Sequence, residues 1–307
     1  MRSILLRDYG GESALQVVDV AAPQAGPGQV LVRVRAAGIN PLDWKIREGF
    51  VRDAFPLQLP AVLGIELAGV VEAMGPGATR FQVGDRVMGP LGGLGAYAEL
   101  VAVDETRLVR TPDALGDVDA AAIPVAALAA WQSLHLAGPL RPGSRVLVHG
   151  AAGGLGAFAV QFARRAGAFV IGTAAARDLE RVRSLGADQV IDYRAQRFEE
   201  LVDDIDLVLA TVGGDVLDRS WSVLNQSGAI VGTASPEILA RTPAGRRGLW
   251  FVMQPDAATL QTLAAEVASG ALASRVGEVV GFAGIPAAIE RSRLGASGGK
   301  VVADFAR

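Results

Sequence analysis

The chain of 307 residues contains no cysteine at all. Without a thiol it can form no disulfide, carry no thiolate nucleophile and offer no sulfur ligand to zinc. Histidine is almost as scarce, because His135 and His149 are the only two. The usual three-ligand catalytic zinc site therefore cannot be assembled from cysteine and histidine.

Long hydrophobic runs and charge of one sign are also lacking. The longest apolar tract, residues 120–131, is interrupted by Pro124 and is far shorter than the roughly 20 residues of a membrane helix. Near the N-terminus only three consecutive residues, Ile4, Leu5 and Leu6, are apolar before Arg7, so no signal peptide is expected and we predict a cytoplasmic protein. The net charge of −3, spread over both signs, indicates neither a nucleic-acid partner nor a membrane surface.

A glycine-rich stretch in the middle of the chain carries the first functional signal. Residues 145–149 predict a short apolar strand, and the glycines after it open a helix that ends at Gly167. Free N–H groups and the helix dipole make such a turn an anion site. We predict that its residues bind a cofactor, namely Gly150, Ala151, Ala152, Gly153, Gly154, Leu155 and Gly156. Because the spacing differs from Gly-x-Gly-x-x-Gly, a turn kept only for packing is the alternative.

The pattern after this turn favours a dinucleotide. Four further apolar runs, at 169–171, 190–191, 207–209 and 229–231, alternate with helix-like segments at 179–185 and 216–224. Strands that are apolar on both faces and alternate with helices indicate a doubly wound parallel sheet. The glycine turn then lies at the carboxyl end of the first strand, where such sheets hold a pyrophosphate.

The end of the second strand predicts which dinucleotide is bound. An NAD site has an acidic residue there for the ribose 2′-hydroxyl, whereas residues 171–177 contain no acid and end in Arg177. Small residues such as Thr173 leave room for a 2′-phosphate that the arginine can pair with. NADPH is therefore the predicted cofactor, with Arg177 and Thr173 in its site.

The first 110 residues predict a second, mostly β, partly open barrel-like sheet. Alternating or β-rich runs separated by Pro/Gly turns lie at 16–20, 30–36, 69–73, 85–88 and 97–103. Three stretches here, 36–49, 64–75 and 83–87, together with His-Gly-Ala-Ala-Gly-Gly-Leu-Gly at 149–156, resemble the medium-chain dehydrogenase/reductase superfamily. The combination is most similar to its zinc-independent quinone oxidoreductase, or zeta-crystallin-like, branch.

This resemblance implies an α/β fold, a Rossmann-type doubly wound sheet plus a GroES-like domain. We expect a GroES-like catalytic domain at 1–124, an NADPH-binding domain at 125–253 and a return to the catalytic domain at 254–307. Zinc-dependent members carry cysteine where Asn40 stands and histidine where Ile65 stands, so no metal is expected. Relatives pair through the nucleotide-binding sheet, which implies a homodimer with the apolar run 249–252 at its edge.

The resemblance also implies further site residues. Asn40 and Lys45 lie at positions that face the substrate, although a turn-forming Asn40 and an exposed Lys45 are the alternatives. Tyr193 matches a position that lies over the adenosine phosphate in relatives, with a surface tyrosine at a strand end as the alternative. Thr211, Val212 and Gly232, at the ends of the fourth and fifth strands, should pass their backbone near the nicotinamide half, and Lys300 is a further predicted cofactor contact.

Without a Lewis acid, conjugated acceptors are easier substrates than alcohols. We therefore expect an NADPH-dependent reductase of quinones or α,β-unsaturated carbonyls. A trans-acting enoyl-thioester reductase is one alternative, and a non-catalytic NADPH-binding redox sensor or structural protein is another.

Overall fold

The structure is a computed structural model that describes residues 1–295 and 298–307. The chain divides into two compact units, Met1–Val125 with Pro255–Arg307, and Ala126–Gln254. The sequence-based limits after residues 124 and 253 fall one residue before these borders.

Strands contribute more residues than helices to the first unit, and they alternate with helices in the second. In chain order the strands are β1 Arg2–Leu6, β2 Leu15–Asp19, β3 Gln29–Ile39, β4 Ala61–Val62, β5 Glu66–Met74, β6 Arg86–Pro90, β7 Leu100–Asp104, β8 Val109–Arg110, β9 Arg145–Val148, β10 Phe169–Ala174, β11 Gln189–Asp192, β12 Ile205–Ala210, β13 Leu224–Gly232, β14 Arg247–Trp250, β15 Val276–Gly281 and β16 Lys300–Asp304.

The helices are short, and in chain order they are α1 Pro41–Arg47, α2 Asp117–Ala121, α3 Pro124–Leu136, α4 Gly154–Arg165, α5 Leu179–Ser184, α6 Asp215–Ser220, α7 Glu237–Arg241, α8 Ala257–Ala268 and α9 Ile285–Arg293. Across residues 1–295 and 298–307, no helix has both the length and the apolar character needed to cross a membrane.

The second unit is built on a six-stranded sheet in the order β11-β10-β9-β12-β13-β14, with every neighbouring pair parallel. Counted within this unit, the order is that of a dinucleotide-binding sheet, 3-2-1-4-5-6. The central strands are apolar on both faces, as the fully buried Val146, Leu147 and Val148 of β9 illustrate. The predicted doubly wound α/β fold is therefore confirmed.

Helix α4 explains why the glycine turn is held at the sheet. Phe158, Ala159, Phe162 and Ala163 are buried along one face, as the 3.6-residue period predicts. Basic Arg164 and Arg165 lie in its last turn, where the helix dipole is negative.

One predicted helix is too long. The helix-like segment predicted at 216–224 is helical only as far as Ser220, where α6 ends, and β13 begins at Leu224. The Ser222 N–H bonds to the Arg219 carbonyl, which closes a tight turn, and Trp221 is buried instead of continuing the helix. Apolar residues at 221–224 therefore pack into the core of this unit as a turn and the start of a strand. The hydrophobic period alone does not distinguish this arrangement from a longer helix.

The first unit contains a seven-stranded sheet, β15-β16-β3-β5-β6-β8 with β7 also on β3, and a three-stranded sheet β2-β1-β4. All five β-rich runs predicted before residue 110 are strands, whereas β1, β4 and β8 were not predicted because each is short or lacks clear alternation. The antiparallel register places Val301 of β16 opposite Ile39 of β3. This pairing brings the residues next to them, Lys300 and Asn40, together from distant parts of the chain.

Candidate active site

The glycine turn of the second unit has a shape that only glycine permits at two positions. Gly150 has φ +64°, and a Cβ there would lie 2.5 Å from the Thr211 hydroxyl oxygen. A Cβ on Gly156 would overlap the Gly150 carbonyl oxygen. The glycines therefore let the strand end, the turn and the helix approach one another closely.

The turn leaves backbone donors available at the start of α4. Gly153 precedes the helix and has no side chain to cap it, while the Gly153 N–H itself bonds to the Gly150 carbonyl at 2.9 Å. The N–H groups of Gly154, Leu155 and Gly156 lie in the first turn of α4, where backbone N–H groups have no acceptor within the helix. Free donors at the positive end of a helix dipole suit a pyrophosphate.

Neighbouring strands and helices hold this turn in place. The Ala151 N–H donates to the Thr173 carbonyl of β10 at 3.0 Å. The Arg181 guanidinium of α5 donates to the Ala152 carbonyl at 2.8 Å and also pairs with Asp178 at 3.0 Å. The turn therefore has its shape before any ligand arrives.

The end of β10 presents the residues predicted to select the cofactor. The Tyr193 N–H donates to the Ala174 carbonyl at 3.2 Å, which places this tyrosine beside the strand end. The side chain of Arg177 is 56% exposed and lies 3.6 Å from the Asp178 carboxylate, and Tyr193 is 51% exposed. Both side chains are accessible, whereas the Thr173 hydroxyl is buried in a hydrogen-bonded network.

The ends of β12 and β13 form a shallow cleft within the same unit. Ala210 pairs with Gly232 in register, and a Cβ on Gly232 would come within 3.0 Å of the Ile238 side chain. Thr211 turns its hydroxyl inward to the His149 carbonyl at 2.7 Å, while Val212 is partly exposed at the rim. The predicted contacts of Thr211 and Val212 with a cofactor can therefore use backbone groups and the valine side chain.

The first unit holds a buried polar cluster around Asn40. The Asn40 amide donates to the Glu66 carboxylate at 2.8 Å and to the Gly38 carbonyl at 3.3 Å, and its oxygen accepts from Lys300 at 2.5 Å. Lys300 also pairs with Glu66 at 2.6 Å, and Glu66 is fully buried. Both amide hydrogens of Asn40 are engaged, and its side chain also forms a capping box with Asp43 at the start of α1.

Asp43 extends this cluster. It accepts from the Asn40 N–H at 2.7 Å and from the Tyr97 hydroxyl at 2.7 Å, while its second oxygen has no partner among the described residues. Burial raises the pKa of Asp43 to about 6, and burial beside Asp43 raises the pKa of Tyr97 well above its ordinary value. No sequence pattern indicated a role for Tyr97, which reaches Asp43 only through the fold.

The structure shows what surrounds the ammonium groups of two predicted site residues, Lys300 and Lys45. Lys300 was assigned to the cofactor, and its ammonium group is directed to Asn40 and Glu66. The Lys45 ammonium lies 5.6 Å from the centre of the Trp44 ring, and burial lowers its pKa. Both assignments stay predictions.

The positions that hold zinc in metal-dependent relatives do not fit a metal here. Asn40 has its amide engaged, Ile65 has no donor atom, and Glu66 is paired with a lysine. Zinc sites use thiolate, imidazole and unpaired carboxylate ligands. Among the residues that the structure describes, no group of three or more His, Asp or Glu side chains could hold a metal ion.

Two family descriptions match the chain, "Alcohol dehydrogenase GroES-like domain" over residues 26–113 and "Zinc-binding dehydrogenase" over residues 185–302. A 2-haloacrylate reductase of a Burkholderia species is 35% identical over 266 residues, which are 82% of this chain and 80% of that protein. A quinone oxidoreductase of Pseudomonas aeruginosa is 40% identical over 231 residues, 73% of this chain and 70% of its own. The match to the chloroplast envelope quinone oxidoreductase homolog of Arabidopsis thaliana, 39% identical, spans 63% of this chain and 61% of that protein.

Solved structures give the same result. The quinone oxidoreductase of Coxiella burnetii has a TM-score of 0.94 at 30% identity and covers 99% of both chains. The Escherichia coli quinone oxidoreductase, solved with NADPH, has a TM-score of 0.88 at 26% identity, covering 99% of this chain and 100% of that one. An NAD-dependent alcohol dehydrogenase reaches 0.86 at 31% identity, with coverage of 99% and 100%.

The fold and these similarities define an NAD(P)-dependent oxidoreductase. The chain belongs to the medium-chain dehydrogenase/reductase superfamily, among proteins named quinone oxidoreductase. The predicted family, its Rossmann-type and GroES-like sheets and its enzymatic nature are confirmed.

Proposed function

We propose that this protein is an NADPH-dependent reductase that acts on quinones or α,β-unsaturated carbonyls without a metal. The proposal rests on the side chains at and beside the positions that match zinc ligands of metal-dependent relatives: Glu66 is neutralised by Lys300, and Asn40 has its amide engaged. An alcohol dehydrogenase needs a Lewis acid for its alkoxide, and these side chains leave no ligands for one. Relatives named quinone oxidoreductase and 2-haloacrylate reductase support a conjugated acceptor.

The residues of the second unit fit NADPH. The free N–H groups that begin α4 suit the pyrophosphate, and the exposed Arg177 and Tyr193 beside β10 suit a 2′-phosphate. We propose that the backbone at Thr211 and Gly232 lies along the nicotinamide half. When bound, the reduced nicotinamide supplies a hydride, and conjugation in the acceptor carries the resulting charge to its oxygen.

In the first unit, Asn40 is proposed to act as an acceptor. Its Oδ1, which accepts from Lys300, can also receive a hydrogen bond from a hydroxyl of a bound reactant, whereas donation would cost the bond to Glu66 or to Gly38. Lys300 and Glu66 keep the amide in this orientation. The predicted role of Lys45 is to polarise the acceptor carbonyl, and its lowered pKa makes it a better proton donor than an ordinary lysine.

The reaction class is tested by stopped-flow measurement. We expect 1,4-benzoquinone to oxidise bound NADPH rapidly, whereas a non-catalytic NADPH-binding protein would bind the cofactor and leave it reduced. The same experiment with a small enoyl thioester tests the thioester alternative. Oxidation by the thioester alone would replace the quinone proposal.

Cofactor selection is tested at Arg177. A charge-assisted hydrogen bond contributes roughly 1.5–3 kcal/mol, and solvent exposure favours the lower value, so we expect Arg177→Ala to raise the KM for NADPH about tenfold. The KM for NADH should stay unchanged because only the 2′-phosphate contact is lost. Arg183→Ala is a matched control, since its side chain is 52% exposed on α5 and pairs with Glu180. Equal use of NADPH and NADH by the unmutated protein would refute the assignment.

We also propose a homodimer formed through β14. This strand is at the edge of the six-stranded sheet, and Leu249 and Trp250 are only half-buried. An accessible apolar edge strand favours pairing with a second copy. Light scattering at micromolar concentration should give twice the mass of the 31.7 kDa chain, and a monomer mass would contradict the proposal.

A further inference from the structure

His149 precedes the glycine turn, and its imidazole is fully buried with a hydrogen-bonding partner on each side. Nδ1 lies 3.2 Å from the Thr173 hydroxyl of β10, and Nε2 lies 3.0 Å from the Ser220 hydroxyl of α6. No step of the proposed reaction uses any of these three side chains.

The direction of these hydrogen bonds follows from which of the atoms can donate a proton and which can only accept one. The Ser220 hydroxyl donates to the Val216 carbonyl at 2.6 Å, so its oxygen can only accept from the ring. Nε2 of His149 therefore carries a proton. Burial, and secondarily the charge of Arg219, lowers the pKa of His149 to about 3. The neutral ring then has an unprotonated Nδ1, which must accept from the Thr173 hydroxyl.

The chain of bonds ends at the first residue of the turn. Because the Thr173 hydroxyl donates to His149, its lone pairs are available to the Gly150 N–H, which lies 3.4 Å away. The hydrogen bonds thus run in one direction from Gly150 through Thr173, His149 and Ser220 to the backbone of α6. Gly150 is the residue with φ +64°, where the strand turns into the glycine loop.

We propose that His149 is a positioning residue, which acts through Thr173 to orient the first peptide of the glycine turn so that the turn is already shaped for a dinucleotide pyrophosphate. The proposal rests on the proposed NADPH-dependent function. The main chain of His149 contributes as well, because its carbonyl accepts from the Thr211 hydroxyl that lies beside Gly150. Preorganisation increases affinity by reducing the ordering cost of binding.

The two ends of the hydrogen-bonded chain can be tested separately. Ser220→Ala removes the acceptor for Nε2 without touching the turn, and Thr173→Val removes the hydroxyl between His149 and Gly150. By calorimetry we expect each to weaken NADPH binding about threefold to tenfold, and Thr173→Ser to restore affinity. For Ser220→Ala, which lies outside the cofactor site, kcat should stay within twofold. Binding of adenosine 2′-monophosphate, which has no pyrophosphate, should not change.

A purely structural role would give a different result. Ser133→Ala is the control, because Ser133 is a fully buried residue of the same unit whose hydroxyl donates to the Ala130 carbonyl. Unchanged NADPH affinity in both Ser220→Ala and Thr173→Val would overturn the proposal, even if their melting temperatures fall. If the unmutated protein does not bind NADPH, the proposed function fails instead.

The tautomer gives an independent measurement. With only two histidines in the chain, ¹⁵N-histidine labelling yields two imidazole patterns, of which His149 should show protonated Nε2 and unprotonated Nδ1 from pH 8 to pH 5. Protonated Nδ1 would reverse the deduced direction and refute the proposal.

Discussion

Replacing Lys300 with methionine should destabilise the first unit by about 3 kcal/mol. The side chains of Lys300 and Glu66 are 6% and 0% exposed, and their charged atoms are 2.6 Å apart. Removing one partner of a buried ion pair typically costs about 3–5 kcal/mol, because the remaining charge is left without compensation. Glu66 keeps two other donors, the Asn40 amide at 2.8 Å and the Val125 N–H at 2.7 Å, so we expect the lower value.

The assay must report on the first unit alone. Of the four tryptophans, Trp44 lies in this unit and the other three lie in the second. In protein labelled with 5-fluorotryptophan, urea unfolding followed by ¹⁹F NMR therefore separates the Trp44 signal from the rest. Lys45→Met is a matched control from the same unit, for which we expect a loss below about 1 kcal/mol because its ammonium is not part of the buried pair.

Two results would refute this reasoning. A loss below about 1 kcal/mol for Lys300→Met would mean that Glu66 is not an uncompensated buried charge in the variant. A double variant, Lys300→Met with Glu66→Gln, should recover most of the stability, and failure to do so would assign the loss to packing. NADPH affinity measured on Lys300→Met also tests the predicted cofactor role of this lysine, which requires weaker binding.

Three further predictions concern Asn40, His149 and metal content. Asn40→Ala should lower turnover with quinones while NADPH affinity stays within a few fold, and unchanged turnover would leave Asn40 only a turn-forming role. For His149 the folded pKa of about 3 lies below the ordinary 6.5, so its contribution to stability is complete above pH 6.5 and is lost as pH falls toward 3. The stability advantage of the unmutated protein over His149→Gln should therefore shrink by about 2 kcal/mol between pH 7.5 and pH 5, and a constant difference would contradict the burial argument. Purified protein should contain no stoichiometric zinc and keep its activity in chelator; one zinc per chain, with activity lost on its removal, would contradict this.

Local sequence was sufficient for the doubly wound sheet and its glycine turn. Apolar runs such as those at 169–171 and 207–209 alternate with helical segments, and this repeat depends only on neighbours in the chain. The turn was predictable because its glycines stand between an apolar strand and a helix. The structure shows that a Cβ on Gly150 or Gly156 would clash there. The missing cysteines excluded sulfur-ligated zinc without any structure. The end of α6 was mispredicted because apolar residues at 221–224 fit a helix and a buried strand equally well.

The tertiary structure alone decided how the polar side chains are used. Asn40 and Lys300 are 260 positions apart, and they meet because β16 pairs with β3. That pairing brings the Lys300 ammonium to the Asn40 side-chain oxygen and to the Glu66 carboxylate, which no local pattern could reveal. Similarly, Ser220 lies 71 positions from His149 and sets its tautomer only because the fold brings α6 beside the residue that follows β9. Periodicity reports the face on which a residue lies, whereas hydrogen bonds between distant strands and helices depend on register and packing.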